Sequence, residues 1–249
     1  MSSCSPRTEF HVKPEAPAVA SPEPPESPEA ARSLLGDRLP LMQRFVAHLA
    51  DTGTSHGLIG PREIPRLWDR HVLNCAVIAD GIPSGVAIAD IGSGAGLPGL
   101  VLAIARPDLR VTLVEPLLRR VTWLETVRAD LGLEQVTVCR ARAEQLHGEL
   151  TVDVVTSRAV ARLDTLAGWC LPLLPAGGHM LAMKGSSAAD EVAEASDTIA
   201  ALGGATPQVR ECGVGVVEPP TVVVDILRER RVDPRPAARR ARRSRKARR

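Results

Sequence analysis

Four glycines fall within eight residues, Gly92, Gly94, Gly96 and Gly99, just after a β-branched apolar run that reaches Asp90 (VAIADIGSGAGLPG, residues 86–99). A helical apolar pattern follows, from about Leu97 to Arg106. Backbone can approach a ligand closely only where no Cβ intervenes, and a helix N-terminus presents unpaired N–H groups. The stretch is therefore a nucleotide-sized binding turn, and two patterns overlap in it. Gly94-x-Gly96-x-x-Gly99 satisfies the dinucleotide fingerprint. That fingerprint needs its first glycine directly after the strand. Here the match starts late and places Pro98 inside the turn.

The second pattern, Asp90-x-Gly92-x-Gly94-x-Gly96, leaves the strand on time and puts a carboxylate at its end. Such a turn is associated with S-adenosylmethionine (SAM). SAM carries a sulfonium and an ammonium but no phosphate, so an anion beside the turn suits it and would repel a pyrophosphate. Asp90, Gly92, Gly94, Gly96 and Leu97 are accordingly candidate cofactor contacts. Glu115 closes the next apolar run, RVTLVE. It stands about twenty residues past the start of the turn, where an acid can reach a ribose hydroxyl pair. Both SAM and NAD have that ribose, so Glu115 supports a nucleoside without choosing between them.

Basic residues recur at the same edge. Arg142-Ala143-Glu144 follows the run VTVCR, Ser157-Arg158-Ala159 ends the next strand, and Lys184-Gly185 ends the one after. Ligands bind at the carboxyl ends of parallel strands, so Arg142, Arg158 and Lys184 are substrate-positioning candidates. Trp68, Arg70 and His71 lie on a helical pattern just ahead of the glycine strand. Methyl transfer from a sulfonium is an in-line displacement that needs orientation, with the reacting atoms about 3 Å apart, more than it needs a base. Exocyclic adenine amines are usually handled by an Asn/Asp-Pro-Pro-aromatic loop after the fourth strand, and Ser157-Arg158-Ala159 stands there instead. Pyrimidine C5 needs a cysteine nucleophile, yet Cys139 and Cys170 lie inside strand and helix patterns. A ring nitrogen such as guanine N7 needs neither device, because its lone pair is already free. No general base is expected.

The elements that must position these residues alternate regularly. Strand patterns at Val86–Ile91, 110–115, 136–140, 152–157 and 179–184 are separated by helical patterns, and two final runs, 208–217 and 221–227, are joined too closely for a crossover helix. This predicts an α/β fold, the Rossmann-like class I SAM-dependent methyltransferase type. Its sheet would be mostly parallel and seven-stranded, with helices on both faces and a closing hairpin. Residues 31–80 form an N-terminal helical extension, with helices over 31–51 and 63–80. The methyltransferase domain occupies 81–227. Residues 1–30 hold seven prolines and cannot bury enough apolar surface to offset ordering entropy, so a disordered tail is expected there. Residues 228–249 form a second, basic tail.

That tail holds 12 of the 31 Lys and Arg but only two acidic residues, Glu229 and Asp233, so the rest of the chain is net acidic despite an overall charge of +2. A polyanionic partner is the natural reading, with nonspecific, salt-dependent RNA affinity. Aromatics are 2% of the chain with no Tyr, which excludes a base-stacking sheet. Five scattered cysteines (Cys4, Cys75, Cys139, Cys170, Cys212) without a C-x-x-C argue against a disulfide framework or metal site and for a reducing cytoplasm. No secretory signal and no membrane span are read.

Taken together, WDRHVLN at 68–74, DIGSGAGLPG at 90–99, Arg142-Ala143-Glu144, Ser157-Arg158-Ala159 and Lys184-Gly185 resemble the RsmG (GidB) family of bacterial small-subunit rRNA guanine-N7 methyltransferases. The resemblance spans about residues 33–227 and looks actinobacterial. It implies SAM contacts at Gly92, Leu97, Ala143, Glu144 and Arg158, with Glu115 as the ribose acid. It also implies that Arg142, Arg158 and Lys184 hold guanine or phosphate. The expected activity is cytoplasmic methylation of 16S rRNA, free or in a small-subunit particle, at guanine 527 near the decoding site, with low-level streptomycin resistance on loss. A SAM enzyme with a small-molecule acceptor and a noncatalytic or redox nucleotide module are the other readings.

Overall fold

Alternate residues of the strands face opposite ways, and here both sets are apolar, the pattern of parallel strands covered on both faces. Ile88, Val111, Leu113, Val154 and Leu181 enter one hydrophobic core, and their neighbours Ala89, Val114, Val155, Met180 and Ala182 enter another. A computed structural model describes residues 23–232, and most of both expected tails lies outside that range. The strands are β1 (Ala87–Ile91), β2 (Arg110–Val114), β3 (Val136–Cys139), β4 (Val154–Arg158), β5 (His179–Lys184), β6 (Gln208–Cys212) and β7 (Thr221–Leu227). They form one seven-stranded sheet in the order β3-β2-β1-β4-β5-β7-β6. Only β7 runs against the others, pairing antiparallel with both β5 and β6. The expected sheet and its closing hairpin are both present. The direction of winding reverses between β1 and β4, the crevice where ligands of open α/β sheets bind.

The first core is completed by α1 (Glu29–Leu35), α2 (Leu39–His48), α3 (Asn74–Ala76), α4 (Gly99–Ala105) and α5 (Leu118–Asp130), and the second by α6 (Leu163–Cys170) and α7 (Ala188–Ala201). The N-terminal extension is therefore part of the sheet's own core: Met42, Phe45, Leu49 and Leu67 are fully buried in it. Two expected helices are interrupted. The first breaks at Gly36, which takes a left-handed φ of 48°, the usual helix stop, before α2 restarts with Pro40 in its first turn. The second, expected over 63–80, is a 3₁₀ segment at Pro61–Arg66, a π-wound segment at Leu67–Leu73, and then α3. Pro65 lies inside this path and has no N–H to give an α-helical bond.

Two boundaries move into the packed body. In the N-terminal stretch, the Pro25 carbonyl accepts a 3.0 Å bond from Trp68 Nε1 and Ser27 Oγ accepts one of 3.1 Å from Gln43. At the other end Arg228, grouped above with the basic tail, is buried. Its Nη1 donates to the carbonyls of Leu171 and Leu174, because the chain continues β7's pairing through a bridge to Gly204.

Candidate active site

The turn after β1 is fixed by its own backbone. Gly92 and Ser93 N–H both donate to the Val114 carbonyl, at 2.9 and 3.2 Å. Gly92 has φ 73°, and a Cβ there would lie 2.7 Å from Val160 Cγ2. Gly99 is required for a different reason: a Cβ would lie 2.3 Å from Leu113 and 2.7 Å from Asp90 Oδ2. Gly92, Gly94 and Leu97 line a cleft of about 550 Å³ with His71, Glu115 and Arg158.

The two carboxylates of this region take different places. Asp90 is fully buried behind the turn, where its Oδ2 accepts the Gly99 N–H at 3.0 Å and so caps α4. Burial pushes its carboxyl up to about 7 against the opposing hydrogen bonds of Gly99 and Ser93. Asp90 does not line the cleft, nor does Gly96, whose Cβ position faces Leu100. The expected anion beside the ligand is therefore a cap beneath the turn. Glu115 is 2% exposed but does line the cleft. Its Oε2 accepts the Gly94 N–H at 3.1 Å, its Oε1 accepts the Leu117 N–H at 3.0 Å, and Arg120 lies 3.5 Å away. A carboxylate offers about four lone-pair sites, so it retains capacity for a hydroxyl.

A smaller pocket of about 120 Å³ opens on the other side of Gly92 and Pro116, lined by Arg142, Ala143, Glu144 and Trp169. Beyond Arg158 lies a larger cleft of about 930 Å³, lined by Arg66, Arg70, Arg162 and Lys184 among others. Arg158 and Ala159 border both large clefts, and Val160 borders all three cavities. The guanidinium of Arg158 is held by the extension. Nη2 donates to the Arg70 carbonyl at 3.1 Å and meets His71 Nδ1 at 3.0 Å, while Nη1 lies 3.3 Å from Cys75 Sγ. His71 Nε2 in turn lies 2.9 Å from Glu63 Oε2. Burial, helped by the Arg158 cation, holds His71 below its usual range. The ring is then neutral near pH 7, donating a hydrogen bond from Nε2–H to Glu63 and accepting one at Nδ1 from Arg158.

Of the three basic candidates, Arg158 and Lys184 share the large cleft while Arg142 stands at the small pocket. Ala143 and Glu144 line that pocket together with Gly92. Residues missed by the sequence reading are Pro116, Leu117, Arg120, Val160 and Trp169, all of which line these cavities. Only the position of 116–120 directly after the Glu115 strand end could have signalled the first three.

The residues fit SAM: an open glycine turn, a buried carboxylate with spare acceptor capacity at the second strand end, and a pocket beside it closed by Trp169. The fold has counterparts of known structure. A SAM-dependent O-methyltransferase from Thermotoga maritima superposes with a TM-score of 0.50 at 19% identity, covering 65% of this chain and 66% of that one. A ribosomal protein L11 methylase from Lactobacillus delbrueckii subsp. bulgaricus gives 0.50 at 14% identity, covering 63% and 77%. Fold and site define a class I methyltransferase whose methyl donor is SAM.

The match within that class is narrower. A family model described as GidB, rRNA small subunit methyltransferase G, matches residues 38–217. The ribosomal RNA small subunit methyltransferase G of Salinispora tropica is 56% identical over 224 residues, covering 87% of this chain and 93% of its own. That of Renibacterium salmoninarum is 59% identical over 199 residues, covering 80% and 93%. The chain belongs to the rRNA small subunit methyltransferase G family.

Proposed function

We propose that this chain methylates N7 of a guanine in 16S rRNA near the decoding site, guanine 527 in the usual rRNA numbering, and that it acts in the cytoplasm. SAM supplies a methyl group on a positively charged sulfur, transferred to a nucleophile in line with that sulfur. The chain's own residues hold and orient. Gly92, Gly94, Leu97 and Glu115 would hold the nucleoside and methionine portions, and Ala143, Glu144 and Trp169 would enclose the base. The observation that carries the acceptor is Arg158. It sits where donor and acceptor clefts meet, and among the described residues its hydrogen-bond partners are neutral groups. An uncompensated guanidinium there suits a phosphate or the O6 edge of guanine. The N7 lone pair is already free and needs no base.

No described helix is long and apolar enough to cross a membrane, and the names of the relatives place their substrate in small-subunit rRNA. The test is transfer of tritiated methyl from SAM into 16S rRNA taken from a strain lacking the enzyme, offered both free and as small-subunit particles. Label that maps to a guanine N7 supports the proposal. Label at another atom would refute N7, and label only in a small molecule would replace rRNA as the acceptor.

A further inference from the structure

The loop after β4 is suspended between two anchors. On its near side Arg158 is tied to the extension by His71, Arg70 and Cys75. Next, Ala159 takes φ 54°, the one non-glycine at positive φ among the described residues, a conformation that persists only where surroundings impose it. Val160 follows and sits over Gly92, forming the partition at which all three cavities meet. On the far side three consecutive residues are fastened to α7 and the end of β5. The Ala161 carbonyl accepts a 2.7 Å bond from Lys184 Nζ, Arg162 pairs with Glu194, and the Leu163 N–H donates to Glu191 Oε2 at 2.9 Å. Lys184 and Glu191 are themselves paired at 2.8 Å, and Ser187 Oγ donates to the other Glu191 oxygen at 3.1 Å. The Lys184 side chain is 9% exposed and that of Glu191 15%, so the ammonium is turned inward and its charge is answered.

We propose that Lys184 and Glu191 form a latch holding the Ala159–Leu163 loop in register, so that Val160 walls the donor cleft from the acceptor cleft. On this reading, which rests on the methyltransferase assignment, both are positioning residues and Lys184 is no phosphate contact. Misplacing a reacting partner by about 1 Å can lower a rate by about a hundredfold, so loosening the partition is expressed in turnover. A lysine that grips phosphate would instead be expressed in RNA affinity and in its salt dependence.

Steady-state kinetics on 16S rRNA, with calorimetry of SAM, separate the two. Glu191→Gln keeps the side chain's shape and frees the lysine charge. The expected result is a kcat lowered about tenfold or more, SAM affinity weakened several-fold, and RNA KM within about twofold of wild type. Lys184→Met should do the same, and the double variant should be no worse than either alone, because the pair acts as a unit. A raised RNA KM and a flatter salt dependence in Lys184→Met, with Glu191→Gln unaffected, would overturn the latch. Additive losses in the double variant would overturn it too. If Glu191→Gln fails to fold, Val160→Ala leaves the latch intact and shortens what it positions. It should lower kcat at unchanged RNA KM, and an unchanged kcat rejects the proposal. Wild type that binds SAM yet labels no rRNA fails the acceptor assignment alone. The latch is then decided by SAM affinity, weakened in Glu191→Gln if it holds and unchanged if it does not.

Discussion

Gly92 is held to glycine twice over, by a φ of 73° and by Val160 2.7 Å from where a Cβ would stand. Gly92→Ala should therefore abolish measurable SAM binding in calorimetry while costing about 1–3 kcal/mol of folding stability from backbone strain. Retained binding would mean that the donor lies elsewhere. Asp90 carries the pH prediction. Its carboxyl is raised by burial to about 7 in the folded chain, from an ordinary value of 3.8. Below both values it is protonated whether folded or not. Between them only the unfolded chain ionises, so stability falls as pH rises towards 7 and then levels. Melting of wild type and Asp90→Asn, compared from pH 4 to 8, should show the difference moving in the variant's favour up to about pH 7. A constant difference would show that Asp90 is not held in this way. The carboxylates of Glu63 and Asp108, which pair elsewhere with His71 and Arg106, shift downward, so their contribution is complete before most of that window.

At the scale of elements, the helical extension is a working part of the site because Glu63, His71 and Arg158 link it to the end of β4. His71 is held below 6.5, so Arg158 keeps its Nδ1 partner at neutral pH and loses it as pH falls through that lowered value. Turnover should accordingly show an acid limb below about pH 6.5 that His71→Phe lacks. The variant should turn over on the order of ten- to a hundredfold more slowly throughout. A limb that survives in His71→Phe would assign the titration to another group. The sheet was legible in the sequence because its strands are short β-branched runs with turn signals between them, and the glycine turn was legible because Gly92 to Gly99 interrupt such a run. The extension's winding was not. Helical periodicity at 63–80 carries no mark of the π-wound register at Leu67–Leu73, although Pro65 was visible. The partners of Asp90 and of Lys184 were equally hidden: both stand at strand ends, and each is bonded to one residue of the helix that follows, Gly99 and Glu191, which helical periodicity does not single out.

At the scale of the whole molecule, charge is divided between an acidic body and the basic residues at the C-terminal end. The structure moves the division point, since Arg228 is buried and bonded to the Leu171 and Leu174 carbonyls. Truncation should therefore begin after Val232. That deletion is expected to leave SAM affinity and melting temperature unchanged while weakening RNA binding most at low salt and reducing its salt dependence. An unaltered salt slope would show the tail to be a bystander. Deletion from Arg228 onward removes more than charge: the Leu171 carbonyl keeps only the Leu174 N–H and the Leu174 carbonyl loses the Arg228 donor, at about 1–3 kcal/mol for a buried group left unpaired, which would confuse a folding defect with an RNA-binding one.

The chain has three tryptophans and no tyrosine. Trp68 and Trp123 are buried, bonded through their indole nitrogens to the Pro25 carbonyl and the Thr52 hydroxyl. Trp169 alone borders the pocket beside Gly92. Through the emission of that indole the protein would carry its own optical gauge of donor occupancy. Emission should change on titration with SAM in proportion to sites filled and should lose that change in Trp169→Phe, with no label attached to either partner.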